Sequence, residues 1–485
     1  MRKGPQIATQ TRGFNMTLRL MNTYGRKLQK FVPLRKNTVR MYTCGPTVWD
    51  YAHIGNFRTY VFQDILRRYL EYKGYKVIQA TNITDVDDKT IRESKATGVT
   101  LSEYTKKFEK AYFVDLKALN IERAEYCPRA TQHIEHMVAL IKKLARKGFA
   151  YEAEGSVYFD ISKFRKYGRL SGARLEELKT GARVDLDEYS KDEAKDFVLW
   201  KGWRPEDGDN FWETAVGKGR PGWHIECSAM SMKYLGETFD IHSGGEDLIF
   251  PHHENEIAQS EAATGKRFVR VWLHSGMLLV GGRKMAKSSG NFFTLRDLLS
   301  KGHDPLAVRY LLMSAHYRAQ LNFSEEALAD ADKALKALRG TYRRTKSIDP
   351  TSKKENITLQ KALSTERMEF EKAMDDDLNT PRALAAIHRG ARAANRAMDE
   401  TGSSRKDIVA IRRFFSSLDR VLGILREEKK TKELPEQADR LIKERDRARA
   451  NKDWEAADRL RKELATIGIV VEDTPTGTVW KSKTE

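Results

Sequence analysis

The chain has 485 residues, with 40% hydrophobic and 32% charged side chains, so it is too long for a single core and too polar to cross a bilayer. Its net charge of +19 suits a polyanionic partner, although charge of this size also serves solubility alone. Three cysteines, Cys44, Cys127 and Cys227, make no disulfide framework; a reducing compartment, the cytoplasm, is expected, and each cysteine is core filler, metal ligand or nucleophile.

Residues 1–15 are basic without an apolar stretch and read as a disordered lead rather than a secretory signal. From Asn37 to Cys44 the pattern predicts a strand. The turn Cys44-Gly45-Pro46-Thr47 follows, then a helix from near Phe57 with Phe62, Ile65, Leu66, Tyr69 and Leu70 at helical spacing and Gly74 at its end. Val77 to Thr81 reads as the next strand. Ile134, Met137, Val138, Ile141 and Leu144 mark another helix, closed by Gly148. Strands alternating with helices imply a parallel α/β sheet. Residues 16–149 would be its first half and 221–281 its second. Residues 150–220, with short β-like pieces and a mixed-charge stretch from Glu188 to Lys195, read as an insertion.

Residues 282–324 open on a glycine-flanked loop. Residues 325–430 are almost wholly helical, with a polar linker from Thr345 to Ile357. Residues 431–485 start near Leu434 with a charge-laced helix to about Ala465. An apolar strand, Ile467 to Val471, and a turn-rich tail complete a small α+β domain.

Three constellations carry chemistry. The first, Cys44-Gly-Pro-Thr-Val-Trp-Asp-Tyr-Ala-His53-Ile-Gly55-Asn56, lies between a strand and a helix N-terminus, where free N–H groups and the helix dipole suit phosphate. Gly55 would let a nucleotide approach the backbone, and His53 and Asn56 would donate hydrogen bonds to phosphate oxygens. An ordinary loop with a helix cap fits the same string. The second is Lys284-Met285-Ala286-Lys287-Ser288-Ser289-Gly290-Asn291 after Gly281-Gly282. Two lysines on a mobile loop would neutralise a departing pyrophosphate, and a solvated basic loop is the alternative. The third joins Cys44 and Cys227 to Pro251-His252-His253-Glu254-Asn255-Glu256. His252 and Glu256 are spaced i,i+4 on one helical face, with His253 and Glu256 the second choice. Two thiolates, an imidazole and a carboxylate suit zinc, while two buried cysteines and a helix-cap histidine need no metal.

Together these stretches resemble the cysteinyl-tRNA synthetases, a class I group of aminoacyl-tRNA synthetases. The likeness runs from about Arg40 to the C-terminus. It includes Asn82-Ile-Thr-Asp-Val-Asp-Asp-Lys89, Pro221-Gly-Trp-His-Ile-Glu-Cys-Ser-Ala-Met230, Asp240-Ile-His-Ser-Gly-Gly-Glu-Asp247, Phe250 to Glu256, Lys284 to Phe292 and Asp375-Asp-Asp-Leu-Asn-Thr-Pro381. The resemblance implies a Rossmann-like catalytic domain with a connective insertion. It places the KMSKS-type loop and a stem-contact region in 282–324, a tRNA-binding helical bundle in 325–430 and an anticodon-binding domain in 431–485.

It also implies one zinc per chain on Cys44, Cys227, His252 and Glu256, a cysteine pocket at Gly45, Thr84 and Trp223, and adenosine contacts at His242 and Asp247. The ATP and catalytic groups it implies are His53, Gly55, Asn56, Lys284 and Lys287, with magnesium accompanying ATP. Cys127 matches no functional position. L-cysteine, ATP and the cognate cysteine tRNA are the expected partners of a monomer. The implied reaction forms cysteinyl-adenylate, then passes cysteine to the tRNA's terminal adenosine.

Two positions depart from the family pattern. Asn56 stands where histidine is frequent, and Ala286 where serine is common. Arg440, Lys443, Arg447 and Arg449 share their helix with many acids, so charge alone does not make it an RNA surface; Trp480 would stack on an unpaired base. The rivals are a ligase joining cysteine to an amino-sugar, which lacks such a tail, and a catalytically retired RNA-binding paralogue, which would not need the lysines and the zinc set.

Overall fold

The segment around Val39, Met41 and Tyr42 forms strand β1 (Thr38–Thr43), inside a parallel sheet. The computed structural model describes residues 17–173, 183–184, 196–285, 290–426, 436–451, 453–467, 469–474 and 477–482. From β1 the chain enters helix α1 (Ile54–Tyr72) and returns through β2 (Lys76–Thr81). Later it adds helix α2 (Trp223–Leu235), β3 (Phe239–Gly245), helix α3 (Glu254–Thr264) and β4 (Val269–Ser275). The spatial order is β4-β3-β1-β2, with Met41 opposite both Gln79 and Ile241. One layer packs Phe57, Val61, Ile65 and Leu66 of α1 with Met41 and Ile241. The other packs Ile225 of α2 and Ile257 of α3 with Tyr42, Phe239 and Trp272. Cover on both faces is what a parallel sheet requires. The chain leaves β1 for β2 on one side and later places β3 on the other. The carboxyl ends of β1 and β3 therefore flank the switch point where α/β sheets open a crevice.

Before α2 the chain builds a second sheet from Ala150–Ala153, Ser156–Phe159, Asp196–Gly202, Gly217–Pro221 and Trp212–Thr214, antiparallel in that spatial order. This insertion is seated on α3. The buried Glu254 carboxylate accepts hydrogen bonds from the N–H groups of Gly168, Leu170 and Ser171, and Tyr167 donates to Asn255. The expected stretch Glu188 to Lys195 lies outside the described residues, as do residues 1–15 and Leu434.

Four long helices follow: Glu325–Ser347, Ile357–Asp375, Thr380–Arg396 and Arg405–Leu422. They are tied to α1 by polar clasps. Arg309, fully buried, donates to Asp64 and to the carbonyls of Leu119, Asn120 and Leu422. The Asp375-Asp-Asp stretch forms a second clasp. Asp375 accepts from the Tyr69 hydroxyl, and Asp377 accepts from Met21 N–H, the Tyr317 hydroxyl and Arg318. Among the described residues no helix is long and apolar enough to cross a membrane.

Contacts divide the chain into two compact units after Leu425. The second holds helices Glu436–Ala450 and Trp454–Thr466 and a hairpin of Ile469–Thr474 with Gly477–Ser482, over a small core of Ala438, Leu441, Ile442, Leu464 and Val471. The single charge-laced helix expected here is thus two, because the Asp453 side chain accepts from Ala456 N–H and starts a new helix. The expected turn-rich tail is a strand, with Trp480 opposite Val471.

The Asp377 clasp has a measurable consequence. Asp377→Ala leaves three donors without their shared acceptor, one of them a charged guanidinium. The expected loss is about 3 kcal/mol, read as a lower urea midpoint for the unit before Leu425.

Candidate active site and metal centre

Both ends of the crevice hang from the segment after β1. Cys44 N–H donates to the Ser243 carbonyl, which extends the β1–β3 ladder by one step and fixes the Cys44 side chain at the switch point. Gly45 N–H donates to Asn82 Oδ1. A Cβ on Gly45 would fall inside the van der Waals radius of the Asn82 carbonyl oxygen, so the two strand ends meet this closely only at glycine. Thr84, just past β2, is buried and donates its hydroxyl to Glu226 of α2 at 2.8 Å.

The four residues expected as metal ligands converge from three places in the chain. One donor atom each of Cys44, Cys227, His252 and Glu256 lie within 4.8 Å of one another, and all four residues are buried. Cys227 comes from α2. His252 stands in the irregular turn before α3 and Glu256 in its first turn, yet their facing atoms are 3.2 Å apart. Burial, then Cys227 and Glu256, pushes the Cys44 thiol well up. Burial pushes the Cys227 thiol up too and raises the Glu256 carboxyl to about 8. Glu256 Oε1 has no hydrogen-bond donor. A carboxylate oxygen without a donor, facing an imidazole nitrogen and two thiols, fits a soft divalent cation.

A second group, Cys44, His242, His253 and Glu256, is equally close. Hydrogen bonding separates the two. His253 has both nitrogens engaged, Nε2 with Cys44 Sγ at 3.2 Å and Nδ1 with His274 at 2.7 Å. His252 engages only Nδ1, with His224 at 3.0 Å, and turns Nε2 to the centre. An outer partner on one ring nitrogen is the usual arrangement of a ligating histidine.

His242, expected at adenosine, is fully buried, stacked on Trp272 with centroids 4.5 Å apart, and its Nε2 is hydrogen-bonded to Glu256 Oε2 at 3.0 Å. In this position it orients the Glu256 carboxyl group. Asp247, its expected companion, is exposed in the turn after β3. Trp223, the first residue of α2, lies with its ring 4.1 Å from that of His252.

The phosphate-type motif forms the N-terminus of α1, three residues before the expected start at Phe57. His53 is the cap. Its Nδ1 accepts Asn56 N–H at 3.2 Å, and Asn56 Oδ1 accepts His53 N–H at 3.0 Å, a reciprocal capping box. Asn56 therefore has a structural task for its carbonyl oxygen, while its NH2 group is left for a ligand. Burial, then Lys284, lowers His53 to about 4. The ring is neutral near pH 7, and with Nδ1 accepting, the proton sits on Nε2.

The second motif packs on this helix end. Ile54 N–H donates to the Phe293 carbonyl, and the Phe292 ring meets His53 edge-on at 5.4 Å. A Cβ on Gly55 would lie 2.8 Å from Met285 Cε. Lys284 is exposed at the end of this loop's strand; Lys287 lies outside the described residues. Cys127 is partly buried, away from the metal group. Reading the sequence assigned no part to His224, His274, Glu226 and Asn82 of the outer ring, and offered His253 only as the second-choice ligand. Their only signal was an unusual density of buried-type histidines near β3, α3 and β4.

Residues 30–333 match the model of the class I (C) tRNA synthetase catalytic domain, residues 369–426 a DALR domain, and residues 431–480 a cysteinyl-tRNA ligase anticodon-binding domain. A solved methionyl-tRNA synthetase of Mycobacterium tuberculosis is similar in fold, with TM-score 0.58 and 16% identity over 80% of this chain and 90% of its own. The fold and the catalytic-domain match define a class I aminoacyl-tRNA synthetase. The cysteine–tRNA ligases of Protochlamydia amoebophila and Brachyspira hyodysenteriae are each 46% identical, over 97% and 95% of this chain and 98% of theirs. The chain belongs to the cysteine–tRNA ligase family and is an enzyme of the ligase type.

Gly45 supplies a sharp test. Gly45→Ala forces the ends of β1 and β2 apart beside Cys44. Displacements of about 1 Å cost on the order of 100-fold in rate. A loss of that size in kcat/KM for cysteine is expected, with far less change in KM for ATP.

Proposed function

We propose that this chain activates L-cysteine with ATP and joins it to its cognate tRNA through cysteinyl-adenylate, with one zinc ion on Cys44, Cys227, His252 and Glu256. The observation that carries this reading is the donor set itself: two thiols, an imidazole nitrogen and an oxygen without a donor, buried within 4.8 Å at the switch point. When bound, zinc supplies a Lewis acid that favours a thiolate over a serine hydroxyl, a choice that shape alone makes weakly.

The chain's own groups do the rest. Gly45, Thr84 and Trp223 line the approach to the metal and would hold the amino acid. The neutral His53 ring and the Asn56 amide donate toward phosphate oxygens at the N-terminus of α1, where Gly55 keeps the backbone open. Lys284, from the loop packed on that helix end, and Lys287 would neutralise the pyrophosphate as it leaves, with magnesium travelling on ATP. Asp247 at the end of β3 is the remaining candidate for adenosine. No covalent enzyme intermediate is needed. The unit after Leu425 would read the anticodon. A cytoplasmic monomer is the setting this reading assumes.

Two assays test it. Pyrophosphate exchange with cysteine and no tRNA is expected, which a retired paralogue would not give. Transfer to tRNA is expected next, which an amino-sugar ligase would not give. A chain ending at Leu425 should keep exchange and lose most charging; equal loss of both would overturn the division of labour. Cys227→Ser should lower zinc content and raise KM for cysteine. A variant that lost zinc yet rejected serine as before would sink the sensor role.

Zinc affinity should also depend on pH in a defined direction. Metal must displace the proton of Glu256, whose carboxyl burial raises to about 8, and those of Cys44 and Cys227, whose thiols burial pushes up as well. Affinity measured by chelator competition should therefore rise as pH increases toward 8 and fall on acidification.

A further inference from the structure

Cys44 is held from its outer side by a chain of side chains that the ligase reaction does not call upon. Its Sγ lies 3.2 Å from His253 Nε2. His253 Nδ1 is 2.7 Å from His274 Nε2, and His274 Nδ1 is 2.7 Å from the Thr23 hydroxyl. His274 belongs to β4 and is buried. Thr23 belongs to the turn after the strand Arg19–Asn22, where its N–H donates to the Trp272 carbonyl. The chain thus starts at a partly exposed hydroxyl, crosses two buried rings and ends on a proposed metal ligand.

Such a chain has a direction. A neutral imidazole carries one donor nitrogen and one acceptor nitrogen, so bonds through two rings in series must all run the same way. A hydroxyl is the one member that fits either end of a bond. A cysteine that ligates a metal is a thiolate and only accepts. His253 Nε2–H must then donate to it, leaving Nδ1 to accept from His274 Nε2–H. His274 Nδ1 in turn must accept from the Thr23 hydroxyl.

We propose that Thr23 is a positioning residue: the Cys44 thiolate sets the direction of the chain, and the Thr23 hydroxyl, by donating to His274 Nδ1, completes it at the far end and so keeps both ring tautomers in place with His253 Nε2–H aimed at the thiolate. This rests on the zinc reading above. The consequence is twofold. The N–H···S bond fixes Sγ at the crevice, and it withdraws charge from the thiolate, leaving the ion more attractive to a third sulfur, that of the substrate. With the chain reversed, a lone pair of His253 would face the thiolate and both effects would be lost. Outer partners of this kind change metal affinity by about 10- to 100-fold.

Thr23→Val keeps the shape and removes the hydroxyl. In the full-length enzyme, zinc should be held about tenfold less tightly in chelator competition, and KM for cysteine should rise in pyrophosphate exchange. In the cobalt-substituted protein the sulfur-to-metal charge-transfer band should move to longer wavelength. Thr23→Ser should restore all three. His274→Gln gives a second line, because its amide N–H donates to His253 Nδ1 whatever residue 23 is. In that background Thr23→Val should have no further effect on zinc affinity or on the band, a comparison internal to one folded protein. Wild-type zinc retention and an unmoved band in Thr23→Val, failure of serine to rescue, or an undiminished effect of valine in the His274→Gln background would each overturn the proposal. A wild-type chain that bound no zinc would instead overturn the reading on which it rests.

Discussion

Two thiols, a carboxyl and an imidazole nitrogen share a buried volume in which no hydrogen-bond donor reaches Glu256 Oε1. Placing acids together without water is unfavourable unless protons or a cation neutralise them, and here burial drives the thiols and the carboxyl toward their protonated forms. A fold accepts this arrangement when something is gained from it. The surroundings are built to hold the donors apart from solvent. His242, stacked on Trp272, orients one oxygen of Glu256, His224 meets the outer nitrogen of His252, and His253 meets Cys44. Each hydrogen bond fixes a donor atom before any ion arrives, which is how a site gains affinity without reorganising.

The same economy operates at α1. His53 and Asn56 cap each other, so the helix end is completed by side chains that are also proposed phosphate donors. That explains how asparagine can stand where histidine is frequent in the family. The capping box uses only its carbonyl oxygen, and its amide hydrogens keep the donor role that phosphate would need. An ionised ring at position 56 has no part in this geometry.

Much of this was legible beforehand. The alternation of strands and helices announced the parallel sheet, and the i,i+4 spacing of His252 and Glu256 favoured one candidate pair from a tract with two histidines. Cys44 and Cys227 stand 183 positions apart in numbering; only the packing of α2 against the end of β1 brings them together, and no local pattern encodes that. His242 entered the expected site only through the family resemblance, and nothing in the local pattern showed that its ring would lie between Trp272 and Glu256. On a strand buried on both faces, alternation does not tell which side a residue faces. Helix starts were misplaced where the cap was an unusual residue, as at His53, and the tail's second strand was missed because its pairing partner, not its own short sequence, stabilises it.

The two halves of the proposed chemistry are linked covalently through ten residues or fewer. Cys44 and His53 belong to one segment between β1 and α1, so the amino acid end and the phosphate end of the crevice are positioned by a single loop. That loop is pinned along its length: Gly45 to Asn82, Val48 N–H to the Thr84 carbonyl, Ile54 N–H to the Phe293 carbonyl. The pins come from β2 at one end and from the lysine loop at the other. A shift of either partner therefore displaces first the end of the loop that it holds. Where catalysis is mostly positioning and charge stabilisation, the stiffness of this one connection matters more than the chemistry of any single residue on it.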